Sequence, residues 1–214
     1  MEAVIAWFVE NSTQYGAAVV QHLRVSALAV AAALTAALPL GVASAGNPAV
    51  SRVITGVFST LRIIPSLALL LLCVPIMGVG IKPAITALVF LAAPPLLINT
   101  TLAFSTLPEA VIETARGIGM GRQRIFWTVK APLALPLILT GLKTAAVEVI
   151  ASATLAAYIG GGGLGAIIFT GLGLMKMELL LIGGISVAVL SLAADFLLTN
   201  FEKKITIVLF GGFR

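Results

Sequence analysis

The chain has 214 residues, of which 60% are hydrophobic and 10% are charged, and its formal net charge is +5. Soluble domains carry about 25% charged residues, so a chain this poor in charge cannot cover its own surface in water, and lipid must be its solvent. The positive charge is not a nucleic-acid signal, because the basic residues lie in short loops between apolar runs and are typical of topology determinants.

Long apolar stretches recur along the chain. A membrane-crossing helix needs about 20 mostly apolar residues, and five stretches qualify, at roughly 22–45, 53–77, 81–104, 132–158 and 178–200. Residues 1–20 have too short an apolar face to span and are predicted to be an external or interfacial segment. The sequence therefore predicts an all-α fold, a polytopic bundle of about five transmembrane helices in a single membrane domain over 1–214.

Prolines interrupt or bound the second and third predicted spans: Pro65, Pro75, Pro83, Pro94 and Pro95. A proline removes a backbone hydrogen bond and kinks a membrane helix, so that neighbouring groups must satisfy the freed carbonyl. Irregular helix packing and a bend that lines a solute path explain these prolines equally well.

Lys143 and Glu148 are charges within the fourth predicted span, where charge is costly and faces protein or water. At i,i+5 they share no helix face well, so we expect each to have a partner on another helix. Two interpretations stay open, an interfacial lysine with a hydrogen-bonded glutamate, or a pathway role. Arg62 and Asp195 are ambiguous in the same way, and His22 is expected at the outer interface without a metal.

The stretch from Tyr158 to Lys176 is too glycine-rich for a stable helix and too apolar for a solvated loop. A re-entrant or external interfacial segment fits it best. Its GGGGLG run lacks the following Lys-Ser/Thr of a phosphate-binding loop, so no nucleotide site is predicted.

A polar, basic insert separates the third and fourth spans, and such an insert lies outside the bilayer. Its positive charge places residues 105–131 in the cytoplasm, which puts the N-terminus outside and the C-terminus in the cytoplasm. The capping-box spacing of Thr106 and Glu109 predicts a helix from about Leu107 that turns at 117–119. A second short helix is predicted from Arg122 to Lys130, ending at Pro132.

One interpretation of this insert is an ordinary loop with a Glu113–Arg116 pair. Its spacing, however, resembles the coupling loop of ABC importer permeases, which has Glu-Ala-Ala, a glycine six residues after the glutamate, and Ile-x-Leu-Pro. Glu113, Ala115 and Gly119 match, Thr114 replaces the middle alanine, and Pro132 ends the motif. The resemblance implies that these residues dock on an ATPase subunit: Glu113, Thr114, Ala115, Arg116, Gly117, Gly119, Arg122 and Pro132.

A narrower resemblance covers roughly residues 55–200. The runs at 64–69, 83–85, 99–100 and 156–165 are similar to those of the permeases of glycine betaine, carnitine and choline uptake systems. Methionine importers share the five-helix layout and the coupling loop, and are the near alternative. The residues that we expect along a kinked, polar-lined solute path are Pro65, Ser66, Asn99, Thr100, Glu148 and Tyr158.

The resemblance implies the membrane subunit of a type I ABC importer in a bacterial inner membrane. The implied partners are two copies of an ABC ATPase subunit, a second identical or homologous permease, a periplasmic or lipid-anchored substrate-binding protein, and membrane lipid. No cofactor, metal, nucleic acid or intrinsic enzyme activity is expected, because ATP hydrolysis would occur on the separate ATPase. An ion-coupled secondary transporter is the alternative from another class, although the chain shows no internal repeat.

Overall fold

The computed structural model describes residues 2–211 of the protein. Its helices are α1 Glu2–Ala45, α2 Pro48–Leu61, α3 Ser66–Met77, α4 Ile81–Ser105, α5 Glu109–Gly117, α6 Arg122–Ile125, α7 Ala131–Ala156, α8 Leu164–Gly173 and α9 Met177–Phe210. A π-helical turn at Phe126–Lys130 joins α6 to α7, and a 3-10 turn at Ala157–Ile159 follows α7. The predicted all-α membrane bundle is confirmed.

Within residues 2–211, four helices are long and apolar enough to cross a membrane, and the pair α2 and α3 makes a fifth span if it is counted as one. The second span, predicted as continuous over 53–77, is instead broken, because α2 and α3 meet at 91°. The break falls at Pro65, whose backbone is extended (ψ 135°). A proline disfavours helical backbone in the residue before it, which explains the break at this position.

The N-terminal segment is helical and continues into the first long helix across a kink. Residues 2–45 form one helix that is kinked at Asn11, where φ is −119° and ψ is 21°. Trp7, Phe8 and Tyr15 pack against apolar residues of α8 and α9, and the Tyr15 hydroxyl lies 2.8 Å from Ser186 Oγ. The aromatic side chains are thus half-buried against protein, and the helical backbone begins before the predicted boundary at residue 20.

The core of the bundle is built around α4, which lies between α1 and α7. Small residues repeat every four positions along α1, at Ala29, Ala33, Ala37 and Gly41. A Cβ atom at Gly41 would come within 2.6 Å of the Thr100 side chain, so the α1 backbone packs directly against α4 at this position. Small residues at helix interfaces allow this close packing in membrane proteins.

The glycine-rich segment contains a helix that its composition did not predict. Leu164–Gly173 is helical, because Leu164 and Ile167 pack against Leu179 and Ile182 of α9 and tertiary contacts outweigh the poor propensity. The segment also covers His22, which is 1% exposed and whose Nε2 lies 2.9 Å from the Ile150 carbonyl oxygen. His22 is therefore buried within the protein, and its location at the depth of the outer interface stays a prediction.

Candidate functional site

Residues 105–131 form a compact projection between α4 and α7, which we call the knob. Ile112, Ala115 and Ile125 are buried in it, and Leu107, Met120 and Val129 pack around them. The insert therefore has a small apolar core of its own, and α5 and α6 are held against each other as one unit.

The turn of the knob depends on Gly119, whose φ is +82°. The Met120 amide donates to the Ala115 carbonyl at 3.1 Å, and the Gly119 amide donates to the Arg116 carbonyl at 2.9 Å. This pair of bonds is the Schellman motif, which ends a helix with a glycine in left-handed backbone. The predicted turn at 117–119 is present at the position that the glycines indicated.

Two predicted boundaries of the knob helices are wrong. The first helix begins at Glu109 rather than Leu107, because the extended backbone of Pro108 precedes it and the Thr106 hydroxyl donates to the Leu102 carbonyl instead of capping. The second does not stop at Pro132. The π turn, in which the Ala131 amide donates to the Phe126 carbonyl, continues into α7, and a widened turn leaves room for a proline ring.

The sequence-predicted docking residues are spread over the knob surface, with one exception. Glu113, Thr114, Arg116, Gly117, Gly119 and Arg122 are exposed, and Pro132 is half-buried at the start of α7. Ala115 is 5% exposed and faces the knob core. Arg116 pairs with Glu109 at 3.4 Å rather than with Glu113, which corrects the i,i+3 pair.

Two exposed apolar side chains on the knob were missed by the sequence reasoning. Ile118 is 74% exposed at the turn, and Trp127 is 70% exposed on the π turn. A sequence signal was present for Ile118, which stands between two glycines at the predicted turn. Their exposure makes the knob surface apolar at its turn and charged around it.

A second feature lies on the side of the bundle, where four charged residues line what we call the charged groove: Arg62, Lys143, Glu148 and Asp195. Arg62 Nη2 lies 3.7 Å from Glu148 Oε2, and Lys143 Nζ lies 3.8 Å from Glu202 Oε2. The prediction that Lys143 and Glu148 have partners on other elements is confirmed. A cavity of about 400 Å³ is lined by Arg62, Lys143, Thr144, Val147, Glu148 and Asp195.

The predicted path residues do not come together in one place. Asn99 bonds to the Pro95 carbonyl and packs where Gly141 of α7 approaches, and Thr100 is fully buried against α1. Pro65 and Ser66 lie at the break between α2 and α3. Tyr158 is 63% exposed beside Phe169. Among the six, only Glu148 lines the charged groove.

Comparison with known proteins decides the family. Residues 37–207 match the family described as "Binding-protein-dependent transport system inner membrane component". The chain belongs to this family. It is a multi-pass inner-membrane protein, in agreement with its apolar helices.

Relatives of this inner-membrane component share most of its length. The carnitine transport permease protein OpuCB of Listeria monocytogenes is 39% identical over 206 residues, which are 96% of this chain and 94% of that protein. The glycine betaine/carnitine/choline transport system permease protein OpuCB of Bacillus subtilis is 38% identical, over 87% of this chain and 86% of that one. The osmoprotectant import permease protein OsmW of Salmonella typhimurium is 34% identical, over 94% of this chain and 96% of its own.

A solved structure places the inner-membrane component in the type I ABC importer fold, as predicted. The methionine ABC transporter MetNI, in an inward-facing conformation, matches with a TM-score of 0.75 over 87% of this chain and 93% of that chain. The two sequences are 21% identical, so this likeness concerns the fold.

The Lys143–Glu202 pair gives a stability prediction for this inner-membrane component. Lys143→Met is expected to lower the free energy of unfolding by about 1–2 kcal/mol, because the Glu202 carboxylate then lacks its cation and keeps only its hydrogen bond from Thr140. The double change Lys143→Met/Glu202→Met is expected to recover most of the loss. Thermal unfolding followed by fluorescence of Trp7 and Trp127 measures both, and a double variant that loses the sum of the single losses would contradict the pairing.

Proposed function

We propose that the chain is the transmembrane permease subunit of an ATP-driven ABC importer for osmoprotectants, quaternary ammonium compounds such as glycine betaine, carnitine and choline. Relatives that are 34–39% identical along nearly their whole length are permeases for such solutes. A methionine-type importer has weaker support, since MetNI shares the fold at 21% identity. The solute moves through a path that opens to each side of the membrane in turn.

The knob is the proposed docking site for the ATPase, and the observation that carries this proposal is its shape. A self-packed unit with an apolar turn at Ile118 and surrounding charge fits a cleft on a soluble subunit. Because α6 continues through the π turn into α7, a displacement of the knob is transmitted directly to a membrane-spanning helix. Two ATPase copies, one for each of two permeases, close on ATP and move both knobs.

The proposed orientation has the knob and the C-terminal end in the cytoplasm and the N-terminal end outside. The knob carries Arg116, Arg122, Arg124 and Lys130, which supports a cytoplasmic location. The opposite end is where the Gly80 amide donates to the Ile159 carbonyl at 2.6 Å. A separate periplasmic or lipid-anchored binding protein delivers the solute to that end.

A pull-down of the tagged chain from its native membrane in mild detergent, with mass identification of its partners, tests this function. The expected result is an ABC ATPase recovered in about equal amount, and recovery of a second, different permease would establish a heterodimer over a homodimer. The chain alone, under conditions that preserve a known transporter complex, would contradict the importer function and favour an ion-coupled transporter. Uptake of labelled glycine betaine, carnitine, choline and methionine then separates the two solute classes.

A further inference from the structure

The charged groove lies at mid-depth of the bundle. Lys143 is 12 residues from the start of α7 at Ala131 and 13 residues from its end at Ala156, and Arg62 lies at the break in the second span. The side chains of Arg62 and Glu148 are still 44% and 29% exposed. Charged side chains at membrane depth face protein or water and mark solute paths. The groove therefore opens on a polar path rather than on lipid.

The ion pair of Arg62 with Glu148 and that of Lys143 with Glu202 differ in how firmly they are held. Lys143–Glu202 is anchored, since the Thr140 hydroxyl donates to Glu202 at 3.0 Å and Lys143 donates to the Thr199 hydroxyl at 3.3 Å. Arg62–Glu148 has no such supporting hydrogen bonds: its charged atoms lie 3.7 Å apart, and within the described residues the buried Glu148 Oε2 has no hydrogen-bond partner. The Lys143–Glu202 pair is thus structural, whereas Arg62 and Glu148 can exchange each other for new partners.

We infer that Arg62 and Glu148, with Asp195 beside them, form a transient site for zwitterionic solutes in the path. The solute carboxylate accepts hydrogen bonds from the Arg62 guanidinium, the group best suited to carboxylates. The quaternary ammonium has no N–H to donate, and it suits carboxylates such as Glu148 and Asp195 that act through charge alone. This inference rests on the proposed function.

The arrangement has a consequence for selectivity. A zwitterion such as glycine betaine supplies one charge of each sign, so it replaces both partners of the Arg62–Glu148 pair and leaves no charge uncompensated. A simple cation such as choline satisfies Glu148 but leaves Arg62 unpaired at membrane depth, which is costly. The groove should therefore favour zwitterions over cations of similar size.

The test is uptake of labelled glycine betaine and of choline by the complete transporter, with its ATPase and binding protein, in proteoliposomes. With one saturating binding protein throughout, changes in the betaine-to-choline ratio report on the permease. Arg62→Gln is expected to lower this ratio about tenfold, since it removes one charged hydrogen-bond donor that only the zwitterion uses. Glu148→Gln is expected to raise the ratio, because an unpaired Arg62 repels choline and still donates hydrogen bonds to the betaine carboxylate.

Glu202→Gln is the matched control, since it alters the anchored Lys143–Glu202 pair nearby. Because this variant removes no charged hydrogen bond to the solute, the betaine-to-choline ratio should stay within about twofold of wild type. Opposite shifts in the two groove variants support the inference, and if one variant fails to assemble, the direction of the other decides. A ratio unchanged in both, shifts in the same direction, or wild-type uptake of choline without betaine would overturn it and leave the osmoprotectant function intact. Wild-type uptake of neither solute would count against the proposed function itself.

Discussion

Replacing Gly119 by valine is expected to lower ATP-driven uptake at least about tenfold and to reduce the ATPase recovered with the permease. Gly119 has a φ of +82°, a backbone region that costs an L residue about 1–2 kcal/mol and a β-branched residue more. Relief of that strain opens the Schellman turn and moves Ile118 away from its docking position. Since 1.4 kcal/mol is a factor of ten in an equilibrium, the loss should be measurable both in pull-downs and in uptake.

Gly121→Val is the matched control within the same knob. Gly121 also has open space around its Cα, but its φ of −68° and ψ of 159° are extended backbone that valine adopts readily. Its uptake and ATPase recovery are expected to stay within about twofold of wild type, a difference of less than 0.5 kcal/mol. If both valine variants retain full coupling, the turn at Gly119 does not position a docking surface.

The membrane helices could be predicted from sequence because hydrophobicity is a local property. The third span, predicted at 81–104, is observed at Ile81–Ser105, and the turn of the knob follows from a glycine pattern only three residues long. In both cases a short window of sequence contains the whole physical cause, an apolar run or a residue free to adopt positive φ.

The elements that sequence did not predict depend on contacts between distant segments. α8 is helical although four of its ten residues are glycine or threonine, because α9 buries its apolar face. The N-terminal residues continue into α1 across the kink at Asn11, and Trp7 and Phe8 pack against α8 and α9. No local sequence pattern predicts which distant surface an aromatic side chain will pack against.

In the candidate site, too, some features follow from local sequence and others only from contacts between distant segments. That Lys143 and Glu148 need partners elsewhere follows from their spacing, but the identity of Glu202 and Arg62 follows only from helix packing. Asn99 and Thr100 were assigned to a path because they are polar within a span. In the structure they lie where Gly141 and Gly41 allow neighbouring helices to approach closely, so a role in helix packing explains their positions.

Gly165→Ala is expected to lower the thermal midpoint of the purified permease by several degrees and to reduce uptake strongly. A Cβ atom at Gly165 would overlap the Thr154 carbonyl oxygen and lie 2.8 Å from Ala157 Cβ. The carbonyl belongs to the last turn of α7, so it cannot move without unwinding that turn. Overpacking of this kind costs about 1–3 kcal/mol, and it separates α8 from α7 at the end of the bundle that we propose receives the solute.

Gly173→Ala separates this steric effect from a general intolerance of side chains in α8. Gly173 is the last residue of the same helix, and nothing lies within 4 Å of a Cβ built there. Alanine is a better helix former than glycine by about 1 kcal/mol, so the midpoint should stay level or rise. Equal midpoints for the two variants would mean that α8 shifts freely on α7. The α7–α8 contact would then not hold α8 in place.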